Sequence, residues 1–284
     1  HGESVISLLC GVIVGFSLGL TGGGGSIFAV PLLVYGLALP AHQAVGVSLF
    51  AVGATALGGA IVRLWRREVD LRAALLFGVA GMLGAPLGAA LGAKLPPGGL
   101  LSGFAVLMLL VAARMWRQAL RRPGETQVVR ASVGAGAAPG SGPACRIDPA
   151  GGLILSSRCA RVLALSGLLT GALSGLFGVG GGFLIVPALV LMASLSMQRA
   201  VATSLLVIAI ISTSGGVAHL LAGHTLDWTI TVLFVLGGLG GMLLGARLSR
   251  RLAGPTLQKL FAAAMISVAV AMLGAQLWRA FTAS

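Results

Sequence analysis

Long apolar runs closed by polar residues, or by Gly and Pro, recur along the chain at about 5–20, 26–39, 44–62, 71–93 and 100–116. A second set follows at about 161–177, 183–195, 200–221, 228–248 and 258–280. A helix needs roughly 20 residues to cross a hydrocarbon core about 30 Å thick. The third, fourth and fifth runs of each set meet that length. The second run of each set is only about 20 Å long at 1.5 Å per residue, which predicts a half-helix or a re-entrant segment. The pattern therefore predicts eight to ten crossings.

The two sets are copies. A shift of 156 positions carries Gly15, Gly19, Leu20, Gly22, Gly24, Gly25, Val30 and Pro31 onto Gly171, Gly175, Leu176, Gly178, Gly180, Gly181, Val186 and Pro187. The same shift carries Ala44, Val45, Ser48 and Leu49 onto Ala200, Val201, Ser204 and Leu205. One position more carries Asp70, Phe77, Gly81, Gly84 and Gly88 onto Asp227, Phe234, Gly238, Gly241 and Gly245. Abundant Gly and Leu can match by chance, but chance does not keep the order, the Pro and the Asp.

Between the copies the chain changes character. Residues 122–158 run through Arg122-Pro123-Gly124-Glu125 and a small-residue stretch from Gly134 to Pro143. That composition has no period and little to bury, so it reads as a flexible linker. The expected organisation is a first membrane repeat at 1–121, the linker at 122–158 and a second repeat at 159–284.

Composition narrows the class. Apolar residues make up 57% of the 284 and charged residues 9%, against about 25% charged in an ordinary soluble domain. Such a chain cannot cover a soluble surface and is read as an integral membrane protein. Its net charge of +13 is then a matter of topology. Sixteen of the 19 basic residues fall at 63–72, 114–161 and 247–259, which puts these three regions in the cytoplasm. Residues 219–227, the repeat mate of 63–72, hold His219, His224 and Asp227 but no Lys or Arg. One copy of the loop is inside and the other outside, so the repeats are inverted, as in many secondary transporters. Both termini then lie outside. The predicted fold class is all-α integral membrane: two inverted-topology repeats of about five hydrophobic segments, with short broken or re-entrant helices after Gly-rich turns. Short basic loops serve topology, so nucleic acid is not an expected partner. Cys10, Cys145 and Cys159 form no C-x-x-C pair and predict neither a disulfide framework nor a zinc site.

The strongest candidate chemistry is in the Gly runs. Thr21-Gly22-Gly23-Gly24-Gly25-Ser26 joins the first two segments, and Gly178-Val179-Gly180-Gly181-Gly182 joins the sixth and seventh. Each precedes a short helix whose first N–H groups lack internal partners and whose dipole favours an anion. The alternative is close helix packing through small residues. Neither run is a Walker A loop, since no Lys-Ser/Thr follows. Gln43, Ser48, Thr203 and Ser204 lie at or near the starts of the third and eighth segments. The hydroxyls either donate to an oxyanion or bond back to their own helix. Arg199 stands without a basic cluster in sequence, near an expected outer or mid-membrane level, where an isolated cation is costly and often functional, unless it snorkels. Ser212, Thr213 and Ser214 are a similar polar patch. Asp70 and Asp227 read as N-caps; His219 and His224 either titrate or are simply solvated at the membrane edge. All six acidic residues lie in loops or at helix ends, so no carboxylate is available for a proton or sodium site inside the membrane. No catalytic constellation, metal site or cofactor motif is present, and the chain does not read as an enzyme.

On the doubled pattern of Gly run, short helix and Pro (Gly19 to Pro31, Gly175 to Pro187), the chain resembles the sulfite exporter TauE/SafE family. The Ala-Val-x-x-Ser-Leu starts and the Asp at 70 and 227 extend the likeness over everything but the linker. Where the family commonly carries Thr, the first half has Val47 and the second Thr203. The resemblance implies a permease for small sulfur oxyanions, sulfite or a short organosulfonate such as sulfoacetate, in the cell inner membrane. Alternating access of the two repeats would move the anion outward, since leaving a negative-inside cell gains ~2.3 kcal/mol per charge per 100 mV. The alternatives are import or exchange of another small anion, and a non-transporting scaffold subunit. Expected partners are the small anion, membrane lipid and a second copy of the chain.

Overall fold

A computed structural model of the chain describes residues 2–121, 146–147, 153–154, 157–178, 182–193, 195, 197–223, 226–249, 262–263 and 265–275. In the first half, α1 is Gly2–Thr21, α3 is Ala41–Trp65, α4 is Leu71–Lys94 and α5 is Pro97–Arg121. Between α1 and α3 lies a composite short helix, α2: a 3₁₀ stretch Gly24–Phe28, one α turn Ala29–Pro31 and a π turn Leu32–Gly36. Pro31 sits where the helix type changes, as expected of a residue with no N–H to give to the turn before it. In the second half, α6 is Ser157–Phe177, α7 is Gly182–Ala193, α8 is Met197–Leu221, α9 is Trp228–Ser249 and α10 is Met265–Ala275.

Among the described residues, six helices (α1, α3, α4, α6, α8 and α9) are long and apolar enough to cross a membrane. Apolar stretches in α2, α5 and α10 are shorter. Leu83, Leu87 and Leu169 are each more than 60% exposed, an arrangement suited to lipid. The protein is a multi-pass membrane protein. Within the linker region, β1 (Arg146–Ile147) pairs antiparallel with β2 (Leu153–Ile154), a minimal hairpin that the region's composition did not announce. Cys159, fully buried near the start of α6, is disulfide-bonded. The cysteine spacing, which predicted no disulfide framework, gave no sign of this bond.

Glycine ridges decide which helices touch. A side chain at Gly11, Gly15 or Gly19 of α1 would strike the backbone at Phe234, Gly238 or Met242 of α9. The same steps recur at Gly167, Gly171 and Gly175 of α6 against Phe77, Gly81 and Ala85 of α4. Small residues at every fourth position let the backbones approach. Both pairs run parallel, since position rises together on the two partners. Helices α3 and α8 cross antiparallel: Gly46 faces His219, Gly53 faces Ser212 and Gly59 faces Leu205. These two are the centre of the bundle, 67% and 72% buried across their apolar windows, against 39% for each of the other four. Asp70 Oδ1 accepts the Ala73 N–H at 3.0 Å and Asp227 Oδ1 the Ile230 N–H at 3.1 Å. Both aspartates are the N-caps their sequence positions predicted.

Candidate anion site at the paired glycine turns

The two Gly turns have the same backbone and the same kind of partner. Gly22 has φ +73° and Gly178 has φ +70°, a left-handed conformation that glycine adopts without a Cβ penalty. Each turn docks on the central helix of the opposite repeat. Gly22 packs against Val201 of α8, and a Cβ on Gly178 would stand 2.7 Å from Val45 Cα of α3. Val45 and Val201 are themselves repeat mates, so the contact is reciprocal. Beyond the turns the two runs meet: a Cβ on Gly23 would lie 2.6 Å from the Gly182 carbonyl oxygen.

Hydrogen bonds tie the same crossing. Ser48 Oγ donates to the Gly178 carbonyl at 2.6 Å. Its mate Ser204 donates to the Gly22 carbonyl and is also placed to reach Val201 O at 2.9 Å. Both serines are fully buried. The sequence offered these hydroxyls to an oxyanion or to their own helix; here their first partners are the Gly carbonyls of the other repeat. Ser26, also buried, donates to Gly23 O at 2.8 Å, and Thr21 bonds back to Ser17 O at 2.8 Å. Gly24 opens α2, and Gly25 packs on the α1 backbone at Ser17 and Leu18. Gly36 reaches Cys10 further back, so α2 folds back along α1. Gly182 opens α7. Gly180 and Gly181 lie outside the described residues. Gln43 is half-buried in the first turn of α3.

Two further positions depart from expectation. Thr203, fully buried, accepts the Asp70 N–H through Oγ1 at 3.0 Å, so it supports the start of α4. Arg199 begins α8 and is half-buried. Because α8 runs antiparallel to α3, and Thr203 touches Asp70, Arg199 shares an end of the bundle with Arg63, Arg66 and Arg67. It is solitary in sequence but not in space. At that end Arg63 pairs with Glu68 at 3.2 Å. In the 212–214 patch, Ser214 donates to Met82 O at 2.8 Å and Thr213 to Ala209 O at 2.7 Å. Ser212 faces Gly53, and its buried hydroxyl has no hydrogen-bond partner among the described residues.

At the opposite end of the crossing the structure brings together two histidines that the sequence did not pair. His219 is 5% exposed, so it is no solvated edge residue. Its ring lies on the bare Gly46, where a Cβ would come within 2.5 Å of Nε2. With His42 it lines a pocket of about 10 Å³ that also touches Val45, Gly175 and Leu176. The signal available in the sequence was Gly46 itself, one helical turn after His42.

The sequence profile of the sulfite exporter TauE/SafE family matches residues 7–272. The chain belongs to this family. Among relatives, a probable membrane transporter protein of Xylella fastidiosa is 36% identical over 98% of this chain and 96% of its own length. The probable membrane transporter protein YunE of Bacillus subtilis is 28% identical over 89% of this chain and 91% of its own. No solved structure matches. Family and relatives together support a membrane transporter, and the TauE/SafE match covers both Gly turns and both central helices.

Proposed function

We propose that the chain exports small sulfur oxyanions, sulfite or a short organosulfonate such as sulfoacetate, across the cell inner membrane by alternating access of two inverted repeats. The observation that carries the reading is the reciprocal docking of each Gly turn on the central helix of the other repeat. Corresponding helices run in opposite directions: α3 against α8, and α1, parallel to α9, against α6, parallel to α4. A packing device alone needs the close contact but not its exchange between halves. Exchange is what a rocking pair of repeats requires, because each half then carries the other's turn as it moves. The first N–H groups of α2 and α7 have no carbonyl earlier in their own helix. The two runs meet at the Gly23–Gly182 contact, and an oxyanion held by these N–H groups would sit beside it. The serine hydroxyls position the turns, and the N–H groups hold the anion. Net anion movement outward needs no coupling ion, because the membrane potential drives it.

The test is sulfite flux from loaded proteoliposomes under an imposed potential. Flux should rise when the destination compartment is positive, and Gly24→Val, which puts a side chain at the mouth of α2, should abolish it in protein that stays monodisperse. A chain that moves no anion in the panel sulfite, thiosulfate, taurine and sulfoacetate would be a scaffold subunit instead.

A further inference from the structure

Repeat symmetry makes one difference between the two ends of the α3–α8 crossing conspicuous. At one end stands Arg63, a permanent cation already paired with Glu68. The same place in the other repeat, 156 positions on, is His219, and the mate of Gln198 is His42. A fixed and compensated charge at one end is thus answered by a titratable pair at the other. His42 is half-buried and His219 buried. His219 is buried against Gly46, and the two imidazoles share a pocket of about 10 Å³, room for roughly one water. That volume excludes an oxyanion but suits a bridging proton carrier. The pocket wall includes Val45, on which the Gly178 turn docks, and Gly175, which leads into that turn. A positive charge here stands beside one half of the anion site.

We propose that His42 and His219 form a proton-binding site bridged across this pocket, and that its protonation strengthens anion binding at the Gly178 turn. The second half of that statement rests on the anion-site reading above; the first does not. Among the described residues, no other titratable side chain lines the pocket. On the elements that reach this end, Tyr35, Lys94 and Asp227 are exposed, and the Asp227 carboxylate is engaged as the α9 cap; His224 lies outside the described residues. By thermodynamic reciprocity, anion binding must in turn raise the proton affinity of the pair.

The full chain carrying His1→Gln and His224→Gln leaves His42 and His219 as the only histidines. Imidazole NMR between pH 5 and pH 8 should then show two steps separated by more than about one pH unit, the mark of a coupled pair. His219→Gln in that background should leave a single step. Curves for His42 that superimpose with and without His219 would overturn the proton site. In parallel, thiosulfate keeps its double charge over this range, so any pH effect on its binding belongs to the protein. Calorimetry should find it bound several-fold tighter at pH 5.5 than at pH 8, and equally at both pH values in His42→Gln/His219→Gln. Binding that is independent of pH in the parent would overturn the linkage. If neither thiosulfate nor sulfite binds at any pH, the anion-site reading fails, and the linkage with it, while the titration alone still decides the proton site.

Discussion

Ser48 and Ser204 each hold the carbonyl of a turn that belongs to the other repeat, and both are fully buried. Removing one hydroxyl leaves a buried acceptor unsatisfied, at a cost of about 1–3 kcal/mol. Ser48→Ala should therefore lower thermal stability in detergent by that amount. Ser204→Ala should do at least as much, because its hydroxyl sits between two carbonyls. An unchanged melting temperature in both would mean that the turns are held by packing alone. Thr203 gives a finer test. Its hydroxyl accepts the Asp70 N–H, a bond the first repeat cannot copy because Val47 stands at the matching place. Thr203→Val makes the halves alike and should cost about 1 kcal/mol, with secondary structure by circular dichroism unchanged, since Asp70 still caps α4. A larger loss, with α4 unravelled, would show that the carboxylate does not hold the helix start by itself.

At the scale of elements, the contact surfaces are ridges of glycine, and their sensitivity to a single methyl differs by face. Gly15→Ala drives a Cβ into the Gly238 carbonyl, and backbone cannot rotate out of the way as a side chain does. The α1–α9 pair must separate, so the variant should unfold at lower temperature and lose monodispersity. On α9 itself, Gly240 has nothing within 4 Å of a built Cβ. Gly240→Ala should leave packing untouched and stabilise the helix by up to about 1 kcal/mol, the propensity difference between the two residues. Equal effects of the two substitutions would refute the ridge. Spacing made much of this level legible in sequence: the repeat, the short helices after the Gly runs and the aspartate caps all depend on residues near one another in the chain. What spacing could not tell was which helices would meet. The end of the bundle that Arg199 occupies is set by the antiparallel crossing of α3 and α8, and its basic neighbours are more than a hundred residues away. The partners of Ser48 and Ser204, and the burial of His219 on Gly46, follow from that same crossing.

For the whole molecule, orientation rests on two observations that pull apart. Sixteen of the 19 basic residues cluster at 63–72, 114–161 and 247–259, which the positive-inside bias assigns to the cytoplasm. The disulfide at Cys159, at the foot of the linker, is of a kind that persists in oxidising compartments and is rare in the cytosol. The charge bias weighs more, because it is spread over three regions that must share a side if the helices alternate, while one disulfide closes or opens with its surroundings. On the charge bias we propose that the residues about 219–227, poor in Lys and Arg, lie on the opposite side from the linker. Single cysteines placed by Ala138→Cys and Ala222→Cys, in a chain with Cys10, Cys145 and Cys159 replaced, should react from opposite sides of the membrane with an impermeant thiol reagent. Ala222→Cys should label in intact cells, and Ala138→Cys only after the membrane is opened. Labelling of both from one side would remove the inversion, and with it the reason for reading the exchanged Gly turns as the two faces of one transport cycle. The reverse pattern, with the linker outside, would keep the inversion but turn the protein over. It would put the Cys159 disulfide in the compartment that suits it and place the His42–His219 pocket at the cytoplasmic mouth.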